Sequence, residues 1–276
     1  MNDNNILINI NKDKYTVMNN NSILVCKVRG SLRNKKIVLT VGDNVILDKE
    51  NMICDIKPRK NQLIRPFICN IDKLFIVISA KEPDFSTFLL DKFIVIALSN
   101  NIEPVIVLTK YDLLTIKEKN RIKKILKYYK SLGYKVFINK DINKIKKEFN
   151  STVIALTGQT GVGKSTLLNK IDKNLNLKTN SISKSLGRGK HTTREVTLYK
   201  IGNALVADTP GFSSLDVNVS KNELKNYFTE FNKYECKYKS CNHIKEEGCK
   251  IIDNKKIMNS RYENYLKLYR EVSNEN

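Results

Sequence analysis

The order of three short segments restricts this chain to very few folds. Thr109-Lys110-Tyr111-Asp112 comes first, directly after the apolar run at 104–108. Gly158-Gln159-Thr160-Gly161-Val162-Gly163-Lys164-Ser165 comes second, after the apolar run at 153–156. Asp208-Thr209-Pro210-Gly211 comes third, after the run at 204–207. The second segment is a complete match to the phosphate-loop pattern G-x-x-x-x-G-K-[ST], and Leu167, Leu168 and Ile171 continue an apolar helical face behind it. In the usual domain that joins these parts, the phosphate loop leads, D-x-x-G follows, and the purine-reading box comes last. Here the last part stands first. A parallel α/β sheet keeps all three at one edge only if its chain has been circularly permuted.

Each part has a chemical reason. Gly158, Gly161 and Gly163 let successive backbone N–H groups close around a β-phosphate at a helix N-terminus. Gln159, Thr160, Val162 and Thr166 lie within or beside that cradle. Lys164 suits the β/γ-phosphates, and the Ser165 hydroxyl suits Mg²⁺. Asp112 pairs with a guanine N1–H and 2-amino group, while Lys110 packs along the base beside Tyr111. Thr109 stands where the usual box has Asn, so a hydroxyl replaces one supporting hydrogen bond. Asp208 holds the Mg²⁺ shell through water, and the Gly211 N–H senses the γ-phosphate. The chain thus reads as a circularly permuted GTPase.

Forty-nine Lys and Arg against 28 Asp and Glu give a net charge of +21 over 276 residues. Biased codon usage accounts for part of this, since Lys, Asn and Ile are all abundant. The excess still favours a polyanionic partner, and nucleic acid is the one expected. No apolar run is long enough to span a membrane and no signal-peptide core is visible, so a soluble, cytoplasmic protein is expected. Nothing in the chain demands a dimer.

Cys26, Cys54 and Cys69 lie singly in apolar stretches and read as small buried hydrophobes. Cys236, Cys241, His243 and Cys249 form a closed C-x4-C-x-H-x5-C set suited to one structural zinc. Three cysteines would leave one disulfide partner unpaired, and a full ligand set leaves no open position for catalysis.

Three segments follow from the pattern. Residues 1–65 alternate short apolar strands with turns, as a small barrel of OB type does. Lys27, Arg29, Arg33, Lys35, Lys36, Arg59 and Lys60 supply an RNA-facing set there, each singly also readable as solvated surface. Residues 66–218 alternate strands and helices, including a basic amphipathic helix at 115–131, and read as a parallel α/β domain. Residues 219–276 hold the Cys/His set between two predicted helices. Leu224, Tyr227, Phe228 and Phe231 form the apolar stripe of one, Tyr262, Tyr265, Leu266 and Tyr269 that of the other. Both stripes read first as packed faces, and the alternative is a tyrosine hydroxyl edge that faces RNA.

Catalysis has a gap. Phe212 follows Asp208–Gly211 where related enzymes carry a water-orienting glutamine. His191 lies in the stretch 176–195, where the first switch must fall. An imidazole there can orient water, and His191 is the candidate. The alternative is a basic loop that binds RNA. Thr193, with Thr192 as second choice, is expected to close on Mg²⁺.

These residues together resemble the ribosome small-subunit-dependent GTPase A (RsgA) family. The likeness is carried by Arg65-Pro66, Asn70, Asp72, Ser79 through Ser86, Asn101 through Pro104, the phosphate loop, Gly187 through Thr193, Asp208 through Phe212, and the Cys/His set. The resemblance implies a late assembly factor of the 30S subunit that binds 16S rRNA near the decoding region. It implies GTP hydrolysis stimulated by 30S, release afterwards, and His191 as the switch histidine. One departure is that Phe137-Ile138-Asn139-Lys140 replaces the family's Ser-Ala near the base, so backbone groups are expected to make that contact. The other is Thr109. Two further readings stand beside this one: a non-catalytic, nucleotide-gated rRNA-binding checkpoint protein, and a large-subunit assembly GTPase.

Overall fold

A computed structural model describes residues 5–20, 22–34, 37–63, 67–173, 196–208 and 216–272. The N-terminal strands are β1 (Asn5–Asn11), β2 (Lys14–Asn19), β3 (Ser22–Cys26), β4 (Val45–Leu47) and β5 (Ile53–Ile56), followed by β6 (Gln62–Leu63) and β7 (Ile68–Cys69). β1, β2 and β3 form an antiparallel meander. Val28, just past β3, bridges Ile53 in parallel, and β5 pairs with β4. The run into β4 returns to β1 through Leu7 N–H to Asp43 O (2.9 Å) and Gly42 N–H to Leu7 O (2.8 Å). That circuit, 1-2-3-5-4-1, is a small closed barrel, and closure removes the edges an open sheet would expose. Leu7, Val17, Cys26, Val28, Val45 and Ile53 fill it, and Leu32 of the short helix Gly30–Asn34 plugs it.

The six remaining strands are β8 (Lys73–Ser79), β9 (Glu103–Thr109), β10 (Lys135–Ile138), β11 (Asn150–Thr157), β12 (Thr197–Ile201) and β13 (Asn203–Asp208). With the meander they make one nine-stranded sheet in the order β10-β9-β8-β11-β13-β12-β1-β2-β3. β8, β9, β10, β11 and β13 run parallel, and β12 is antiparallel to β13. The parallel strands are buried on both faces and are therefore nearly all apolar. Leu74, Ile76 and Ile78 pack under helices Thr87–Ser99 and Ile116–Ser131. Phe75 and Val77 face the other way, with Leu167, Leu168 and Ile171 of helix Lys164–Ile171 and Ile145 of helix Ile142–Glu148.

β1 obeys the same rule across two cores. Leu7 points into the barrel while Ile8 joins the large sheet's core, so its near-continuous apolar run is explained. Its link to β12 is the pair Asn9 and Thr197, where Asn9 Nδ2 donates to Thr197 Oγ1 at 2.7 Å.

The C-terminal segment corrects one expectation. The stripe Leu224, Tyr227, Phe228, Phe231 is not one helix. It divides into helix Lys221–Leu224 and two 3₁₀ turns, Lys225–Tyr227 and Phe231–Lys233. A continuous helix would turn Glu230 about 200° away from Phe228 and into solvent. Instead Phe228, Glu230 and Phe231 are all buried, the two rings stacked at 5.3 Å, and the backbone breaks at Phe228 (φ −95°, ψ 75°) to allow it. The second stripe does form a helix, Asn259–Glu271.

Candidate functional site

The carboxyl ends of β8, β9, β11 and β13 lie at one edge of the sheet. The chain reverses its direction across the sheet between β8 and β11, which is where open α/β sheets bind ligands. The phosphate loop leaves β11 there. Gly158 has φ +138°, and a Cβ on it would lie 2.1 Å from Val77 O, so the loop runs hard against β8. Gly163 (φ +93°) caps the helix that Lys164 begins. Gln159, Thr160, Gly161 and Thr166 are exposed, and Val162 and Ser165 are buried. The Ser165 hydroxyl thus sits in the first turn of a helix aimed at the loop, the chemistry a Mg²⁺–nucleotide complex requires. Lys164 Nζ donates to Gly158 O (2.6 Å) and Gln159 O (2.8 Å), and burial pulls its pKa down. An anion in the loop would offset that desolvation and draw the ammonium away from its own carbonyls.

The purine box meets the loop through Thr109. Its hydroxyl lies 2.5 Å from Val162 O and 3.3 Å from Ile78 O, so its single proton goes to the loop carbonyl. A residue 53 positions upstream therefore anchors the phosphate loop, and Thr in place of Asn retains the tether. Lys110 is left-handed (φ 53°), and its Nζ donates to Glu82 O in the loop that follows β8. Asp112 and Leu113 are exposed in a 3₁₀ turn, and Lys119 Nζ lies 5.8 Å from the Tyr111 ring. Asn139 closes the group: its Nδ2 is 3.5 Å from Asp112 Oδ1. Sequence reasoning took Asn139 only as the loss of a Ser-Ala pair. The expected backbone contact is restricted, because the N–H groups of Ile138 and Asp141 are used within the turn and that of Asn139 bonds to Leu108 O of β9.

Asp208 ends β13, with its backbone paired to Thr197. His191, Thr192, Thr193, Gly211 and Phe212 lie outside the described residues.

The second centre is fully built. Cys236 Sγ, Cys241 Sγ, Cys249 Sγ and His243 Nδ1 lie within 4.8 Å of one another. Nδ1 is 3.6, 3.4 and 3.4 Å from the three sulfurs, and Cys236 and Cys249 are 3.9 Å apart. Zinc bonds of ~2.3 Å to sulfur and ~2.05 Å to nitrogen place ligand atoms about 3.5–3.8 Å apart on a tetrahedron, so the set fits one zinc. Lys250 N–H and Ile251 N–H point at the sulfurs of Cys236 and Cys249. Without a cation, burial pushes the Cys241 thiol up to about 12 and the His243 imidazole down. Metal binding at neutral pH therefore releases protons.

Two tyrosines of the second stripe are packed inward, and their hydroxyls are not the RNA-facing edge of the alternative reading. Tyr262 Oη donates to His243 O (2.8 Å) and Tyr265 Oη to Asn242 O, so both hydroxyls brace the metal loop. Glu246 was not anticipated. Burial pushes its carboxyl up, but N–H groups of Asn242, Ile244 and Lys245 bring it down to about 2.

Two family models match the chain: the RsgA GTPase over residues 56–218 and the RsgA N-terminal domain over 13–52. A small ribosomal subunit biogenesis GTPase RsgA from Staphylococcus aureus is 46% identical, covering 94% of each chain. The protein of the same name from Halalkalibacterium halodurans is 44% identical over 94% of this chain and 93% of its own. Among solved structures, YjeQ from Thermotoga maritima matches with a TM-score of 0.84 and 32% identity over 97% of both chains. YloQ, a circularly permuted GTPase, matches with a TM-score of 0.81 and 32% identity over 97% of this chain and 93% of its own.

Proposed function

The chain belongs to the RsgA GTPase family, and on that premise we propose that it is a late assembly factor of the small ribosomal subunit. It binds 16S rRNA on the 30S particle, hydrolyses GTP when that particle stimulates it, and leaves with GDP. The observation that carries this reading is the extent of the match. Relatives named as small ribosomal subunit biogenesis GTPases align over 94% of the chain, a span that extends beyond the GTPase segment on both sides.

Each residue then has a task. The loop Gly158 through Ser165 cradles the β- and γ-phosphates with Thr166 behind it, and Lys164 neutralises them. Ser165 and Thr193 hold Mg²⁺, Asp208 supports its water shell, and the Gly211 N–H senses the γ-phosphate. Mg²⁺, when bound, draws charge off the β- and γ-oxygens. Thr109, Lys110, Tyr111 and Asp112 receive the guanine. His191 orients the attacking water. Cys236, Cys241, His243 and Cys249 hold one zinc that folds the C-terminal module. Residues 1–65, 66–218 and 219–276 act as barrel, GTPase and zinc modules of a cytoplasmic monomer.

A polyanionic partner also has a surface to meet. Helix Ile116–Ser131 exposes Lys117, Arg121, Lys123, Lys124, Lys127 and Lys130. Its single acid, Glu118, is engaged in the Thr115 capping box. Among the described residues no helix is long and apolar enough to cross a membrane.

The test is GTP turnover with and without purified 30S subunits, with 50S subunits and ATP as controls. Stimulation by 30S with GTP alone is the expected result. Stimulation by 50S instead would overturn the partner, and turnover unchanged in His191→Ala would overturn the assigned water-orienting residue.

A further inference from the structure

We propose that Asn139 is a specificity-determining residue whose side-chain amide reads the 6-oxo group of the guanine base beside Asp112. The inference rests on the guanine-nucleotide reading above and deepens it.

Register puts Asn139 at the site. β10 runs parallel to β9 with Ile138 opposite Leu108. The Asn139 N–H continues the ladder onto Leu108 O at 2.8 Å, which places it one strand from Thr109. The turn that follows consumes two donors of its own and leaves one main-chain donor, the Lys140 N–H, without a partner among the described residues. Asp141 N–H bonds to Ile138 O (2.8 Å), and Asp141 Oδ2 accepts from Ile138 N–H (3.1 Å). A carbonyl oxygen approaching this turn therefore finds the N–H groups of residues 138, 139 and 141 already engaged.

The side chain supplies a donor directly beside Asp112. Asn139 Nδ2 carries two hydrogens. It lies 3.5 Å from Asp112 Oδ1, and among the described residues it has no other acceptor. At that distance the amide rests near the carboxylate without being locked to it. A guanine edge presents one acceptor, O6, next to two donors, N1–H and the 2-amino group. An amide N–H beside a carboxylate is the complement of that edge. Adenine presents a donor at the 6-position and an acceptor at N1, so both members of the pair would face a like group.

The experiment measures displacement of a fluorescent GDP analogue by GDP, by IDP (no 2-amino group), by 6-thioguanosine diphosphate (the 6-oxo group replaced by a weakly accepting sulfur, N1–H and the 2-amino group kept) and by ADP. It is run on the full chain as wild type, Asn139→Ala and Asn139→Asp. In the wild type, replacement of the 6-oxo group is expected to weaken binding about two- to tenfold. In Asn139→Ala, GDP binds more weakly by a similar factor and the 6-oxo penalty falls to about one. The 2-amino penalty stays at its wild-type size, because it belongs to Asp112. Asn139→Asp, nearly isosteric, puts a second carboxylate against O6 and binds GDP more weakly than the Ala variant. Melting temperatures equal to wild type are expected, since among the described residues the Asn139 side chain bonds only to Asp112. An undiminished 6-oxo penalty in Asn139→Ala overturns the proposal. If Asn139→Ala melts early, the Asp variant decides: GDP affinity equal to wild type there overturns it. A wild type that binds ADP as well as GDP sinks the guanine reading itself, a separate outcome.

Discussion

Three glycines that look alike in the motif are not alike in space. A Cβ at Gly158 meets Val77 O at 2.1 Å, while one at Gly161 meets nothing within 4 Å. Gly161→Ala should therefore cost only the left-handed backbone, about 1–2 kcal/mol. Gly158→Ala must move β8 or the loop, and should remove GDP binding and lower the melting temperature far more. Equal melting temperatures for the two variants would refute this. Thr109 yields a second prediction. Thr109→Val keeps the shape and leaves the buried Val162 carbonyl without its donor, a loss of about 1–3 kcal/mol. Thr109→Ser keeps the donor and should bind GDP nearly as wild type. Comparing the two by GDP titration isolates the hydroxyl. The sequence identified Thr109 as a changed member of the box, because position in a motif is local information. It did not identify Asn139, because only the β9–β10 register brings position 139 to position 112.

At the level of elements, periodicity worked wherever one rule decided the local structure. The apolar runs at 104–108 and 204–207 lie within strands Glu103–Thr109 and Asn203–Asp208, and the basic helix expected at 115–131 is Ile116–Ser131. It failed at 224–231, where Leu224, Phe228 and Phe231 imitate a helical face. Burial of Glu230 against Arg261 takes the backbone out of the helix there, and a contact 31 residues away has no local signature. The metal loop should fold only with its ion. Its ligands lie on turns, His243 is left-handed (φ 59°), and few regular hydrogen bonds hold the segment 234–258. Chelation is expected to release one zinc per chain and to abolish the near-ultraviolet circular dichroism of Tyr262 and Tyr265, whose hydroxyls brace that loop. A signal unchanged after the metal is removed would show that the loop folds without it. The basic helix gives an independent prediction. Lys123, Lys124 and Lys127 changed together to Gln should lower the slope of 30S affinity against salt by roughly one for each phosphate the helix no longer neutralises, with basal GTP turnover retained.

The whole molecule is joined at two places, and they differ in kind. On one side the barrel shares β1 with the nine-stranded sheet, next to the strand that pairs with β13 and so with Asp208. On the other side the C-terminal module rests on helix Thr87–Ser99, with Val95 inside its core. At the centre of that contact Arg261 is fully buried. It reaches Asp91 at 2.5 Å and grips Glu230 with Nε and Nη2 at 2.7 and 2.8 Å, between the rings of Phe228 and Tyr129. Burial pushes the Asp91 carboxyl up, and Arg261, Tyr129 and Asn264 offset that desolvation. Four elements from two segments thus depend on one guanidinium, a dependence invisible in sequence because the partners lie up to 170 residues apart. Removing one member of such a cluster leaves buried charge unpaired, at about 3–5 kcal/mol. Arg261→Ala should lose that much stability. It should also divide a single urea transition into two, an early one seen by tyrosine dichroism and a later one seen by loss of bound GDP. In the wild type the two probes should move together, and zinc chelation should lower the midpoint of the GDP-binding unit as well. The module then acts as a rigid extension of helix Thr87–Ser99, so any motion set by the γ-phosphate arises within the GTPase sheet and its switches. If chelation leaves the GDP-binding midpoint where it was, the contact is a loose docking and the module is free to move by itself.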